Sequence, residues 1–240
     1  MKSLGVILAR AGSVGLPNKH LLPLLGRAVI EFTFDHAAAS RRLDRVVVST
    51  DCPGVRRLAE QRGLRVIQRP PRLATGDASV QDVMLHGMDE IENGGEFKAE
   101  ALVVLYGNVP VRGPGVIDKA LDLLNTAQCD SVRTFCPVGK WHPAWMSRLE
   151  NDVVVPLQSG SIHRRQDLSP LFLHDGAVVA VSRASMLRGR EFPNDPHAFF
   201  GVDRRGIMTE PGETVEIDHR RDLFWAEAVL REQTANQEAA

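Results

Sequence analysis

The sequence predicts an α/β protein: a mostly parallel central sheet with helices on both faces, plus one small protruding excursion. Three observations carry this. Short runs such as LGVIL (4–8) and ALVVLYG (101–107) are apolar throughout, as strands covered on both faces should be. Helix-like stretches of roughly 10–15 residues separate them, the pattern of crossovers between parallel strands. The chain has 240 residues, 43% of them hydrophobic, enough for a substantial core.

In chain order, residues 4–8 are the first strand and AVIEFTFDHAAAS (28–40) a helix. RVVVST (45–50) is the second strand. PGVRRLAEQRG (53–63) is a helix with Pro near its start and Gly after its end. LRVIQ (64–68) is the third strand. DASVQDVMLHGMDEIENGG (77–95) places apolar residues at helical spacing and stops on Gly. Residues 101–107 are the fourth strand, GVIDKALDLLNTA (115–127) the fourth helix, and DSVRTFCPV (130–138) the fifth strand. The pattern then changes. KWHPAWMSRLENDVVVPL carries two of the three Trp residues and a hairpin-like END, so residues 139–165 are read as an excursion whose aromatics bury against a partner. GAVVAVSR (176–183) and ETVEID (213–218) resume the strand pattern, and a long helix begins near His219. Residues 1–138 and 166–240 then form the α/β domain.

Composition narrows the function. The formal net charge is −1 with both signs interspersed, which gives a nucleic-acid partner no support. No apolar run approaches the ~20 residues needed to cross a bilayer. MKSLGVILARAG turns polar too soon for a signal peptide. Cys52, Cys129 and Cys136 have neither zinc nor disulfide spacing. These features predict a cytoplasmic protein with no membrane partner.

Ligands bind open parallel sheets beyond the carboxyl ends of the strands. Four segments are placed there: residues 10–19, the trio Ser49, Thr50 and Asp51, Arg69, and the trio Tyr106, Gly107 and Asn108. The first, within ILARAGSVGLPNKH (7–20), is neither a Walker loop nor Gly-x-Gly-x-x-Gly. Its amides around Gly12, Ser13, Val14 and Gly15 make an anion nest with Arg10 and Lys19 at its ends; a plain strand-to-helix turn gives the same pattern. In VEID (215–218) strand periodicity points Glu216 and Asp218 the same way. Such a pair suits Mg²⁺ held with waters and phosphate oxygens. An edge strand with solvated acids, Asp218 capping the next helix, is the alternative. HRRQD (163–167) is either a grip for a carboxylate or phosphate or a solvated basic loop. Asp51 reads as a cap for the helix that follows it.

Taken together, these blocks resemble the acylneuraminate cytidylyltransferase family, which makes CMP-sialic acids and is related to the CMP-Kdo synthetases. The opening stretch resembles the family's Ala-Arg-x-Gly-Ser-Lys-Gly-Leu-Pro-x-Lys-Asn signature. VVVSTD with RPPRLATGDASVQDVMLHGM, DSVRTFCPVGKWHPAW, RRQDLSPLFLHDGAVVAVSR and ETVEIDHRRDLFWAEAVL match later blocks in order. The resemblance implies a nucleotide-diphospho-sugar transferase-like fold and transfer of CMP from CTP to a 2-keto sugar acid, with Mg²⁺ as cofactor. It implies Arg10, Lys19 and Asp218 as catalytic residues, and Arg10, Gly12, Ser13, Lys19, Arg69 and Ser79 as nucleotide contacts. Tyr106, Asn108, Lys140, Arg165 and Gln166 fall at the sugar end, and Glu216 and Asp218 take the metal-ligand places. Residues 139–165 match the family's dimerisation excursion, implying a homodimer in which Lys140 reaches the neighbouring site. Three positions depart. Val14 stands in place of a Lys, His20 in place of an Asn, and Tyr106 to Pro110 in place of Gln-Pro-Thr-Ser-Pro. The last variant is spaced like the Gln-Gly-Asp-Glu-Pro of the CMP-Kdo synthetases, with neutral Asn108 where Asp serves the metal. A nucleotide-binding descendant without catalysis, and the same chemistry on Kdo or a legionaminic-type acid, stay open as alternatives.

Overall fold

The apolar runs lie side by side in one seven-stranded sheet. The structure is a computed structural model and describes residues 1–240 except 13, 14, 96, 161, 239 and 240. In chain order its elements are β1 (Ser3–Ala9), β2 (Pro23–Leu24), β3 (Arg27–Ala28), α1 (Val29–Ala39), β4 (Arg45–Thr50), α2 (Pro53–Gln61), β5 (Arg65–Gln68), α3 (Val80–Glu92) and β6 (Ala101–Tyr106). Then come α4 (Val116–Ala127), β7 (Ser131–Pro137), β8 (Ser147–Glu150), β9 (Val153–Pro156), β10 (Phe172–Ser182), α5 (Arg183–Glu191), β11 (Arg204–Met208) and α6 (Arg220–Glu238). The sheet order is β11-β7-β10-β6-β1-β4-β5. Among the described strands of this sheet β10 alone runs against its neighbours, β6 and β7.

Both faces of the sheet are covered, which is why β6 and, after Ser3, β1 are apolar along their length. Ile7, Val48 and Leu105 face one way and pack on Ile30 and Phe34 of α1, Val55 of α2 and Leu121 of α4. Val6, Leu8 and Val104 face the other way, against Met84 and Met88 of α3 and Met186 of α5. Each such side chain contributes about 1.5–3 kcal/mol when fully buried. A third, smaller cluster seats α6 through Ala226 against Val111, Val215 and Ile217.

Two strand expectations need correction. Residues 213–218 do not join the sheet. Their only β pairing among the described residues is an isolated bridge from Val215 to Val111. The alternation of buried and open side chains is present, but it reports burial rather than pairing. The outer strand is β11, whose sequence RRGIM hides it: it holds two Arg and a Gly and is exposed at four of five positions. A half-solvated edge strand needs little apolar character.

Residues 147–156 form the hairpin β8–β9, turning at Asn151 and Asp152, which have φ of 50° and 68°. Two successive positive φ values are what a tight hairpin turn with matching twist needs, and Asn and Asp tolerate them. Trp141, Leu149, Val153 and Val154 on this excursion are exposed, Leu149 at 76%.

Candidate active site

The carboxyl ends of four strands come level. Leu8 pairs with Ser49 on one side and Tyr106 on the other, and Thr50 pairs with Gln68. Arg10, Asp51, Gly107 and Arg69 therefore leave the sheet along one edge. A cleft of about 500 Å³ opens there, lined among others by the basic side chains Arg10, Lys19 and Arg69, by His20, and by Tyr106, Asn108, Glu216 and Asp218.

Lys19 begins a short 3₁₀ turn entered through Asn18, whose φ of 54° is the left-handed conformation Asn accepts. Its Nζ donates to Asp218 Oδ1 at 2.7 Å, joining segments 199 residues apart. Gly15 lies in the same contact: a Cβ there would come within 3.3 Å of the Asp218 carbonyl. Asn108 is buried between the two carboxylates. Its Nδ2 donates to Glu216 Oε1 at 3.0 Å, to the Ile217 carbonyl at 3.1 Å and, more weakly, to Asp218 Oδ1 at 3.4 Å. Gly107 makes this placement possible, since a Cβ would stand 3.0 Å from the Leu8 carbonyl and 3.1 Å from the His20 ring.

The acidic segment is held by its apolar partners. Val215 and Ile217 are buried, and the Ile217 amide donates to the Asn108 carbonyl at 2.8 Å, leaving Glu216 and Asp218 facing the cleft. Asp218 does not cap α6. Asp222 Oδ2 reaches back to accept from the amides of Asp218 and His219 at 2.9 and 2.7 Å. Asp51 likewise does not cap α2; its Oδ1 accepts from the Ala11 amide at 2.9 Å and fixes the start of the loop after β1.

The cation wall is strongly polarised. Arg69 is buried, bonded to the Ser49 carbonyl at 2.9 Å, and burial draws its pKa down to about 10, so it stays charged at neutral pH. His20 is pulled down to about 3 by burial and then by Lys19, Arg69 and Arg10, which makes it a neutral ring in the cleft. Across the cleft, burial first, then Asp218, raises the Glu216 pKa, against the lowering effect of the Asn108 hydrogen bond and Lys19. Tyr106 is pushed up to about 12 by burial and by Glu216.

The other expected site residues lie elsewhere. Gly12 is outside the cleft lining, and Ser13 and Val14 fall outside the described residues. Ser79 Oγ accepts from the Asp82 amide at 3.0 Å as the N-cap of α3, while its neighbours Ala78 and Val80 line the cleft. Lys140 and Arg165 line a second cavity of about 730 Å³ with Trp141, Phe172 and Trp225. Gln166 is exposed in the turn Arg165–Asp167.

One residue that shapes the site has no sequence signal. Arg112 is buried and donates to the carbonyls of Tyr106 at 2.7 Å, Val109 at 2.5 Å and Ala177 at 2.8 Å. It thereby fixes the turn carrying Tyr106 and Asn108 to β10. Burial draws its pKa down to about 9, against the opposing effects of Glu216 and Asp175.

Cations and carboxylates facing each other beyond the carboxyl edge of a mostly parallel sheet define the class, a nucleotidyltransferase-like α/β protein. The chain belongs to the cytidylyltransferase family, whose model matches residues 4–235. It is 32% identical over 196 residues to an N-acylneuraminate cytidylyltransferase of Streptococcus agalactiae serotype V, covering 80% of this chain and 46% of that protein. It is 24% identical over 242 residues to the CMP-N,N'-diacetyllegionaminic acid synthase of Legionella pneumophila, covering 100% of this chain and 99% of that protein. The chain thus spans about half the length of the streptococcal relative and nearly all of the second. In fold it is similar to a CMP:2-keto-3-deoxy-manno-octonic acid synthetase complexed with CTP, with TM-score 0.73, 19% identity, and 97% of this chain and 100% of that one covered.

Proposed function

We propose that the chain transfers CMP from CTP to a sialic-acid-like 2-keto sugar acid, releasing pyrophosphate. The observation that carries this reading is that Asp218 accepts from both Lys19 and Asn108 in a cleft that also holds Arg10 and Arg69. The anomeric hydroxyl oxygen bonds to the α-phosphorus, the bond from that phosphorus to the pyrophosphate oxygen breaks, and the hydroxyl proton passes to solvent. Phosphoryl-type transfer of this kind depends on positioning and charge neutralisation. Arg10, Lys19 and Arg69 bind and orient the triphosphate. His20 adds no further charge beside them. Asn108 holds Glu216 and Asp218 in place.

The residues also fit Mg²⁺. Glu216 and Asp218 are hard oxygen donors in one cleft, and a cation there would relieve the burial and, after it, the Asp218 charge that raise the Glu216 pKa. Two carboxylates leave the remaining positions for water and phosphate oxygens, the arrangement Mg²⁺ prefers. Bound there, it would supply Lewis-acid stabilisation of the charge on the transferred phosphate.

The exposed Trp141, Leu149, Val153 and Val154 support a homodimer formed through residues 139–165, with Lys140 and Arg165 completing the sugar end across the interface. Among the described residues no helix is long and apolar enough to cross a membrane. The test is purified protein with CTP, Mg²⁺ and a panel of N-acetylneuraminic, legionaminic-type and Kdo acids, read by pyrophosphate release. Silence across the panel from a folded dimer overturns the proposal. One observation favours a binding-only descendant: Asn108 brings a neutral amide between the carboxylates. That reading predicts CTP binding without turnover.

A further inference from the structure

Arg133 on β7 is a guanidinium without a counterion. Among the described residues no carboxylate bears on it, and its Nε is buried with no hydrogen-bond partner. The groups that do act on it are Arg204 and Tyr106. Its Cζ lies 4.5 Å from the ring centroid of Phe200 and 5.1 Å from that of Phe135, so two aromatic faces hold it. Burial and Arg204 together lower its pKa, the signature of a positive charge held where charge is costly.

Arg133 does not itself line the cleft; it lies behind Tyr106, which does and which acts on it electrostatically. Arg133 pairs laterally with Val179, which in turn pairs with Val104, two residues before Tyr106. At the level of Tyr106 the intervening strand β10 carries Gly176. A Cβ there would stand 3.9 Å from Tyr106 and 3.5 Å from Glu216 Oε2, so the glycine leaves open the corner where β6, β10 and the acidic segment meet. The cations lining the cleft, Arg10, Lys19 and Arg69, have the triphosphate as their proposed partner, while Lys140 and Arg165 line the second cavity of this chain.

We propose that Arg133 is a specificity-determining residue that receives the carboxylate of the acceptor sugar acid at the Tyr106 end of the cleft. This rests on the proposed transfer reaction, because it assumes an acidic acceptor. A planar guanidinium clamped between aromatic rings is preorganised for a two-pronged bond to a carboxylate. The anion supplies the partner that the folded chain lacks.

The test is calorimetric binding of N-acetylneuraminic acid and Kdo, each against its methyl ester, with CMP filling the nucleotide subsite so that no turnover occurs. Pyrophosphate release from CTP is measured separately. A hydrogen-bonded charge implies that the wild type binds the acid ~10–100-fold tighter than the ester. Arg133→Met binds both alike, Arg133→Lys recovers part of the preference, and the KM for acid rises in Arg133→Met while the KM for CTP is unchanged. Equal binding of acid and ester by the wild type, or a preference that survives in Arg133→Met, overturns the inference even where pyrophosphate is released. A preference lost in Arg133→Met with no pyrophosphate from any variant upholds Arg133 and removes the transfer reaction instead. If the Met variant does not fold, Arg133→Gln carries the same comparison.

Discussion

Replacing Lys19 by Met separates a structural ion pair from a working cation. Lys19 Nζ and Asp218 Oδ1 are 2.7 Å apart, and the side chains are 17% and 52% exposed. Coulomb attraction at that distance is about 1.5 kcal/mol in a water-like medium. Side-chain ordering and salt reduce it, and pairs this open contribute about 0–1 kcal/mol. In a 240-residue chain that corresponds to a Tm change of no more than about 4 °C. A cation that stabilises transferred charge is worth much more to the rate, ~10²–10³-fold when removed. The expected result is therefore a near-native melt with pyrophosphate release down ~10²–10³-fold. Activity within about threefold of wild type would refute the reasoning. So would a melt lowered by well over 4 °C, because the lysine would then be a structural anchor.

Three further outcomes follow from the structure. The raised pKa of Glu216 means that ionisation opposes folding: stability is full below its ordinary value of 4.5 and lost as pH rises through the folded value. In metal-free buffer Glu216→Gln should raise Tm at about pH 7.5 and leave it unchanged near pH 4, and a gap that widens on acidification sinks the argument. Arg112→Met strands buried carbonyls of Tyr106, Val109 and Ala177 and should cost about 3 kcal/mol or more in urea unfolding, against a loss below about 1 kcal/mol if those bonds are dispensable. Gly201 has φ of 68°, and a Cβ would collide with the Asp130 side chain and stand 2.5 Å from Ser185 Oγ. Gly201→Ala should therefore unfold at a markedly lower denaturant midpoint, and an unchanged midpoint would show that the turn after Phe200 relaxes freely.

The central strands were legible because burial on both faces leaves no polar position to confuse the period. β11 was not, because an open edge allows Arg and Gly. The segment 213–218 shows the limit of alternation: Val215 and Ile217 turn inward as a strand would, yet their partner is a loop. At the site, four loops at one sheet edge could be read from strand order alone. That Lys19 and Asp218 share one site came from the family resemblance and not from strand order, because separation in sequence says nothing about which loops touch. Arg112 left no trace in the pattern, since a buried arginine satisfied by carbonyls looks like any polar loop residue. Lys140 and Arg165 share a cavity away from this chain's own cleft, a place compatible with the expectation that Lys140 reaches the neighbouring site.

The lysine and the aspartate that close the cleft are separated by almost the whole length of the polypeptide. During synthesis the basic half of the site leaves the ribosome long before its acidic counterpart exists. On the proposed reading, nucleotide recognition is therefore among the last properties the molecule acquires as it matures. A chain cut between residues 209 and 215 keeps all seven strands of the sheet but loses both acids, so on the proposed reading ligand affinity reports on complete folding more sensitively than secondary structure does.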